Sequence, residues 1–137
     1  MSGPVHELAV RVYFEDTDAG GIVYHANYLR FAERARTEWL RAEGFDHPRL
    51  LEEHAVMFTV RRCDAVFLAP ARLDDEIRVE TRIDRLQGAR IHLNQTVFLD
   101  DRCLVTLAVE LVLVDRRMRP VRPPPVLRYL LRAVPRS

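Results

Sequence analysis

The sequence predicts an α+β domain in which one long helix packs on an antiparallel sheet of about five strands. Residues 26–43 repeat apolar side chains every three or four positions, as an amphipathic helix does. Several other segments alternate apolar and polar residues, as half-buried strands do. The strands after the helix are joined by short connections, which favour antiparallel pairing. A helix lying on such a sheet forms two layers around one core.

The first half of the chain supplies one strand and the long helix. Residues 5–15 alternate, and one side of this predicted strand carries Leu8, Val10, Val12 and Phe14. Residues 16–25 are rich in Asp, Thr and Gly and predict a turn. The helix runs from about Ala26 to Glu43, and Gly44 suits its end. Residues 48–54 could add a short helical segment.

The second half predicts consecutive strands. Alternation beginning at Val56 changes phase at Cys63, which indicates a β-bulge near Arg61–Arg62. Residues 76–84 and 91–99 predict the next two strands. Residues 102–114 are apolar on both faces, as in a central strand that is covered twice. One helix covers only one face, so we expect a partner subunit on the other and at least a homodimer.

Length, composition and charge limit the function classes. The chain has 137 residues, 48% of them hydrophobic, and we expect a single domain over residues 1–137 with a basic, Pro-rich tail from about residue 116. A net charge of +1 argues against nucleic acid as a partner. No apolar run approaches the roughly 20 residues of a membrane span, and no secretory leader is visible. These features predict a cytoplasmic protein with no integral membrane segment.

The cysteines and basic residues limit the chemistry. Cys63 and Cys103 lie in strand-like runs without the spacing of a zinc site, so we expect small buried side chains and no metal. All 21 basic residues are arginine, which excludes a Schiff-base lysine. We therefore expect no cofactor.

The stretch YFEDTDAGGIVYHANYLRF, residues 13–31, places carboxylates and two glycines before the helix. The first amides of a helix are unpaired and its dipole is positive there, so a developing oxyanion is stabilised at this end. Asp18 beside this end offers a nucleophile or general base, which suits acyl transfer or hydrolysis. The same residues could instead form only a turn with an Asx-type hydrogen bond, with Tyr24 and His25 in structural roles.

The segment VRVYFEDTDAGGIVYHANYLRFAERARTEWLR closely resembles the opening of the acyl-CoA thioesterases encoded beside the Tol-Pal system. These enzymes belong to the 4-hydroxybenzoyl-CoA thioesterase branch of the hotdog fold. APARLDDEIRVET and VDRRMRPVRPPP are similar to later segments of that family, so the resemblance spans roughly residues 5–125. It implies a sheet wrapped around one long helix, subunits that pair into homodimers and often homotetramers, and no metal or redox cofactor.

The resemblance also implies roles for residues of the motif. Asp18, the second Asp of the D-T-D string, is implied to attack the thioester or to activate water. The backbone amide of His25 is implied to polarise the thioester carbonyl, and its imidazole to orient water or substrate. Tyr24 and Asn27 match the motif and are expected to bind substrate.

The CoA phosphates require cations, for which arginine is well suited. Arg90 is the first candidate and Arg62 is another. The predicted reaction is hydrolysis of acyl-CoA to a free acid and CoA. Two alternatives remain from the sequence: a non-catalytic protein that binds acyl thioesters or acts as a scaffold, and a hotdog dehydratase acting on 3-hydroxyacyl thioesters.

Overall fold

The structure, a computed structural model, describes residues 5–130, which form a five-stranded antiparallel sheet and one long helix. The chain order is β1 (Val5–Arg11), a 3₁₀ turn (Phe14–Asp16), α1 (His25–Ala42), α2 (His47–His54), β2 (Val56–Phe67), β3 (Glu76–Gln87), β4 (Arg90–Leu99), β5 (Arg102–Asp115) and α3 (Pro125–Leu130). The strands are ordered β1-β3-β4-β5-β2, so β1 and β2 are the sheet edges. The predicted α+β class is confirmed.

The core lies between α1 and one sheet face. Gln95 of β4 donates from Nε2 to the carbonyl oxygen of Ala32 (3.0 Å) and to Oγ1 of Thr81 (2.9 Å), which ties the helix to two central strands. The apolar residues of the same sheet face are buried: Ile77, Val79, Ile83, Ile91, Leu93, Val97, Leu107, Val109, Leu111 and Leu113. The helix contributes Tyr28, Phe31, Ala32, Ala35, Trp39 and Leu40.

The first strand is shorter than the sequence predicts. Val10 and Val12 are buried as expected, but β1 ends at Arg11 and Phe14 is 81% exposed. The side chain of Asp16 explains the difference, because its Oδ2 accepts from the amide of Tyr13 (2.8 Å) and closes a 3₁₀ turn over residues 14–16. The prediction that Phe14 lies beside Val12 on the buried side is wrong.

The phase change in β2 is a β-bulge, as predicted. Val60 pairs with Leu111 and Arg62 with Glu110, so Arg61 is the extra residue. The bulge turns both halves of β2 toward α1, with Phe58 and Val60 before it and Cys63, Ala65 and Phe67 after it. Because β2 is an edge strand, Cys63 is exposed; Cys103 is half-buried, and the expectation of two buried cysteines is wrong.

The outer face of β5 corrects the argument for a partner subunit. This face carries Thr106, Ala108, Glu110, Val112 and Val114, of which the first two are exposed. Glu110 is covered by Arg61, and Met118 and Pro120 line a cavity with the two valines. The chain therefore covers the apolar end of this face itself, and β5 does not require a second subunit.

The segment after β5 folds back onto the domain. Pro120 bridges Val114, and the amide of Val121 donates to the carbonyl oxygen of Leu113 (2.9 Å). Leu127 of α3 is fully buried, so the predicted tail contains a docking turn. No helix between residues 5 and 130 is both long and apolar enough to cross a membrane.

Candidate active site

A small hairpin carries the candidate carboxylate to the start of α1. The amide of Asp18 donates to the carbonyl oxygen of Ile22 (2.9 Å), and Thr17 bridges Val23. Gly21 occupies the turn with φ +77°, a conformation that glycine adopts without strain. Ile22, opposite Asp18, precedes His25 by three residues, which span at most about 10 Å. The hairpin thus places the Asp18 carboxylate and the first amides of α1 at one end of the domain.

The side chain of Asp18 is exposed and partly engaged by its own turn. Its Oδ1 accepts from the amide of Gly20 (2.8 Å), the Asx-type bond that the sequence left open. Oδ2 accepts no hydrogen bond from any residue between 5 and 130. The turn bond fixes the direction of the carboxylate and leaves one oxygen available to a substrate or a water molecule.

The neighbouring carboxylate, Asp16, holds the hairpin against α1. Besides the Tyr13 amide, it accepts at Oδ1 from Nδ2 of Asn27 (3.0 Å), and its carbonyl oxygen accepts from the amide of Tyr24 (2.9 Å). Asn27 is buried. The structure therefore gives Asn27 a positioning contact through Asp16, while its predicted contact with substrate stays a prediction.

The first turn of α1 presents free donors. Tyr24 precedes the helix without a side-chain cap, and within residues 5–130 the amides of His25 and Ala26 donate to no acceptor. Unpaired amides with the positive end of the helix dipole can stabilise negative charge on a carbonyl oxygen. The carboxylate that the sequence singled out thus lies in a hairpin that leads into this helix start.

Aromatic rings surround this helix start. The His25 ring lies 4.6 Å from the Tyr24 ring and 6.0 Å from that of Phe67, measured between centroids. Phe67 also contacts Tyr28, at 5.9 Å. Tyr28 is buried and accepts at its hydroxyl from the amide of Ala71 (2.9 Å), and burial raises the pKa of its phenol.

Phe67 is the site residue that the sequence reasoning missed. It is half-exposed at the end of β2, far from the motif in sequence. Its place in the alternation of β2 after the bulge is the signal that could have indicated it.

The predicted phosphate contacts lie elsewhere. β4 turns Gln95 toward α1, so Arg90 and His92, an odd number of positions away, face the opposite side of the sheet. Arg62 lines a cavity of about 220 Å³ with His92 and Glu110 on that outer side. Within one chain, neither Arg62 nor Arg90 shares a site with His25, and their contacts with CoA stay predictions.

The outer side carries an ionic network. Arg61 donates to Glu110, and this hydrogen bond lowers the pKa of the Glu110 carboxyl. His92 lies 3.6 Å from the same carboxylate, but its burial lowers the pKa of the imidazole. Within residues 5–130, no group of three or more His, Cys, Asp and Glu side chains is arranged to hold a metal ion.

Side chains of α1 and of the edge strand β2 face each other, and we call the surface between them the α1–β2 groove. His25 and Phe67 stand at one end, and Leu29 follows one turn along the helix with 44% of its surface exposed. The other end is a cavity of about 190 Å³ lined by Arg36 and Val60, among others.

Most of the chain matches a known protein family. Residues 12–131 match the model of a family described as the thioesterase-like superfamily. The acyl-CoA thioesterase YbgC of Haemophilus influenzae is 45% identical over 82% of this chain and 83% of its own length. The chain belongs to the thioesterase-like superfamily. The Escherichia coli acyl-CoA thioester hydrolase YbgC is a similar relative, 43% identical over 82% of this chain and 83% of its own.

Solved structures of this superfamily have the same hotdog fold. A probable thioesterase from Bartonella henselae superposes with a TM-score of 0.85 at 41% identity, covering 88% of this chain and 100% of its own.

Proposed function

We infer that this protein is an acyl-CoA thioesterase, which hydrolyses the thioester bond to a free acid and CoA. The observation that carries this function is the hairpin that leads into α1, because it holds a carboxylate with a free oxygen and the first two amides of the helix are unpaired within residues 5–130. The similarity to the acyl-CoA thioesterases of the same superfamily supports it.

We propose that the thioester carbonyl oxygen accepts from the amide of His25, so that charge developing on it is stabilised. Oδ2 of Asp18 then attacks the carbonyl carbon, or it removes a proton from an attacking water molecule. In either route the C–S bond breaks and the CoA thiolate leaves and takes up a proton. In the first route water then hydrolyses the acyl-aspartate anhydride, which regenerates the carboxylate.

The other predicted site residues keep supporting roles. We propose that the imidazole of His25 orients water. Tyr24 contacts that imidazole and is exposed to solvent, and its contact with substrate stays a prediction. Contacts of Asn27, Arg62 and Arg90 with substrate stay predictions.

The direct test measures release of the CoA thiol from acetyl-, medium-chain, long-chain and aromatic CoA esters. We expect hydrolysis of at least one class, dependent on enzyme concentration. Tight binding without thiol release would favour the non-catalytic alternative. Hydration of an enoyl-CoA without thiol release would favour the dehydratase.

We propose that the active form is a homodimer joined through β2. This edge strand has 12 residues and exposes Val60, Val66 and Phe67, and a long exposed apolar edge is a template for pairing with another chain. Two-fold pairing of β2 would place the α1–β2 grooves of both subunits at the junction. Light scattering should give at least twice the chain mass of 16.0 kDa; a mass of one chain would contradict the proposal.

Other expectations from the sequence also stay predictions. These are the curling of the sheet around α1, a single domain over residues 1–137, a homotetramer, a cytoplasmic location, the 4-hydroxybenzoyl-CoA branch and association with the Tol-Pal system. Residues 131–137 of the predicted tail lie outside the described residues.

A further inference from the structure

The far end of the α1–β2 groove contains a cation that no carboxylate of the described residues neutralises directly. Arg36 donates from Nη1 to Oε1 of Gln95 (3.0 Å), and no other hydrogen bond or ion pair engages its guanidinium within residues 5–130. A guanidinium carries five N–H donors, so most remain available. Burial lowers the pKa of Arg36, as expected for a charge partly removed from water.

The orientation of Arg36 is fixed by a buried amide. Gln95 is 1% exposed, and its Nε2 donates hydrogen bonds to the Ala32 carbonyl and the Thr81 hydroxyl. These acceptors decide which end of the amide is nitrogen, so the oxygen must point at Arg36. The guanidinium of Arg36 therefore points its remaining donors in one fixed direction, unlike the guanidinium of a mobile surface arginine.

A cavity of about 190 Å³ beside Arg36 has two kinds of wall. Phe58, Val60 and Leu111 form the sheet side and are apolar, whereas the helices supply Glu33, Arg36, Thr37, Leu40 and His47. Glu33 lies one helical turn before Arg36 and attracts its charge, yet the two form no direct ion pair. A donor and an acceptor thus face one cavity whose sheet side is apolar.

The site lies at a defined distance from the proposed chemistry. His25 and Arg36 are eleven residues apart on α1, which corresponds to about 16 Å at the rise of an α-helix. An extended chain advances roughly 1.2 Å per bond, so about 13 bonds connect a carbonyl at His25 with an oxygen at Arg36. Leu29, one turn after His25 on the way to Arg36, is an exposed apolar residue of α1.

We propose that Arg36 and Glu33 recognise a hydroxyl group at the far end of a medium-chain acyl group whose thioester lies at His25. The hydroxyl accepts from Arg36 and donates to Glu33, which a terminal methyl cannot do. A terminal carboxylate would be attracted by Arg36 and repelled by Glu33. This inference rests on the proposed function, and it specifies the substrate class of that site.

The first experiment compares kcat/KM for ω-hydroxydodecanoyl-CoA, dodecanoyl-CoA and the corresponding ω-carboxy ester. We expect the hydroxylated ester to be preferred over dodecanoyl-CoA by about tenfold or more, since hydrogen bonds to charged groups are strong. Arg36→Met should abolish the preference. Arg34→Met is the matched control, because Arg34 is an exposed arginine of the same helix that lies over the Phe31 ring, and it should leave the preference unchanged.

Two further variants separate the parts of the proposal. Glu33→Gln should raise turnover of the ω-carboxy ester, because it removes the repelling charge. Leu29→Trp should narrow the groove, so that kcat/KM falls more for dodecanoyl-CoA than for butanoyl-CoA. If Leu29→Trp affects neither chain length, the acyl path does not follow the α1–β2 groove and the inference is overturned.

Failure of this inference is distinguishable from failure of the proposed function. Hydrolysis of dodecanoyl-CoA without a preference for the hydroxyl, or a preference that survives Arg36→Met, overturns the inference alone. Dissociation of a dimer by Arg36→Met, with the preference absent, would assign Arg36 to a second subunit's carboxylate instead. If no acyl-CoA is hydrolysed, the proposed function fails, and calorimetry with the same three intact esters decides whether the hydroxyl is recognised.

Discussion

Asp18→Asn is expected to leave the fold intact and to reduce thioester hydrolysis by roughly 10²–10⁴-fold, the usual contribution of a positioned acid–base group. The asparagine side-chain oxygen can still accept from the amide of Gly20, so the hairpin retains its turn bond. The variant lacks the anionic oxygen needed for attack or for proton removal. Thiol release under saturating substrate, with circular dichroism on the same sample, measures both properties.

The control for Asp18 is Glu15→Gln, which neutralises a nearby exposed carboxylate. It should retain activity close to that of the wild type, because the effect at residue 18 depends on position and not on the local sum of charge. Equal hydrolysis by Asp18→Asn and the wild type would show that the carboxylate has no part in the reaction.

Phe31→Ala is expected to reduce the free energy of unfolding by about 3–5 kcal/mol, because it leaves a cavity in the core. Phe31 is 1% exposed in the middle of α1, and its ring packs edge-on against Tyr28, at 6.2 Å between centroids. The hydroxyl of Tyr28 in turn accepts a hydrogen bond from the amide of Ala71, so the loss of packing should extend to residues beside the candidate site. Urea unfolding at one fixed protein concentration measures the change.

Phe14→Ala supplies the matched comparison, since it removes the same side chain from an exposed position. Its effect should stay within about 0.5 kcal/mol, as is usual for surface substitutions. If both variants lose similar stability, the packing of α1 on the sheet is not the main contribution to the free energy of unfolding.

Alternation of apolar residues was enough to predict the main elements and even the bulge in β2. It failed at Phe14, because the strand is ended by a side-chain contact from Asp16 that has no signature in hydrophobic periodicity. It failed again at Cys63, because periodicity indicates which face a residue occupies but not whether its strand is an edge.

The candidate site was predictable where its parts are adjacent in sequence. Asp18 and the helix start lie within one motif, and local hairpin geometry brings them together. Phe67 reaches the candidate site only through the pairing of β2 with β5 and the packing of α1, which a single sequence does not reveal. Arg62 and Arg90 were chosen by chemistry alone, and the pleat of the sheet turned them away from α1.

The extra residue at Arg61 lets the edge strand absorb one change of length. Val60 and Arg62 pair with the adjacent residues Leu111 and Glu110, so deleting Arg61 would close the bulge and leave every side chain of the strand on its present face. Deleting a residue elsewhere in the strand, with the bulge kept, would invert every position on one side of the deletion. In homologous chains, single deletions inside this strand should therefore be found at the bulge and be selected against elsewhere.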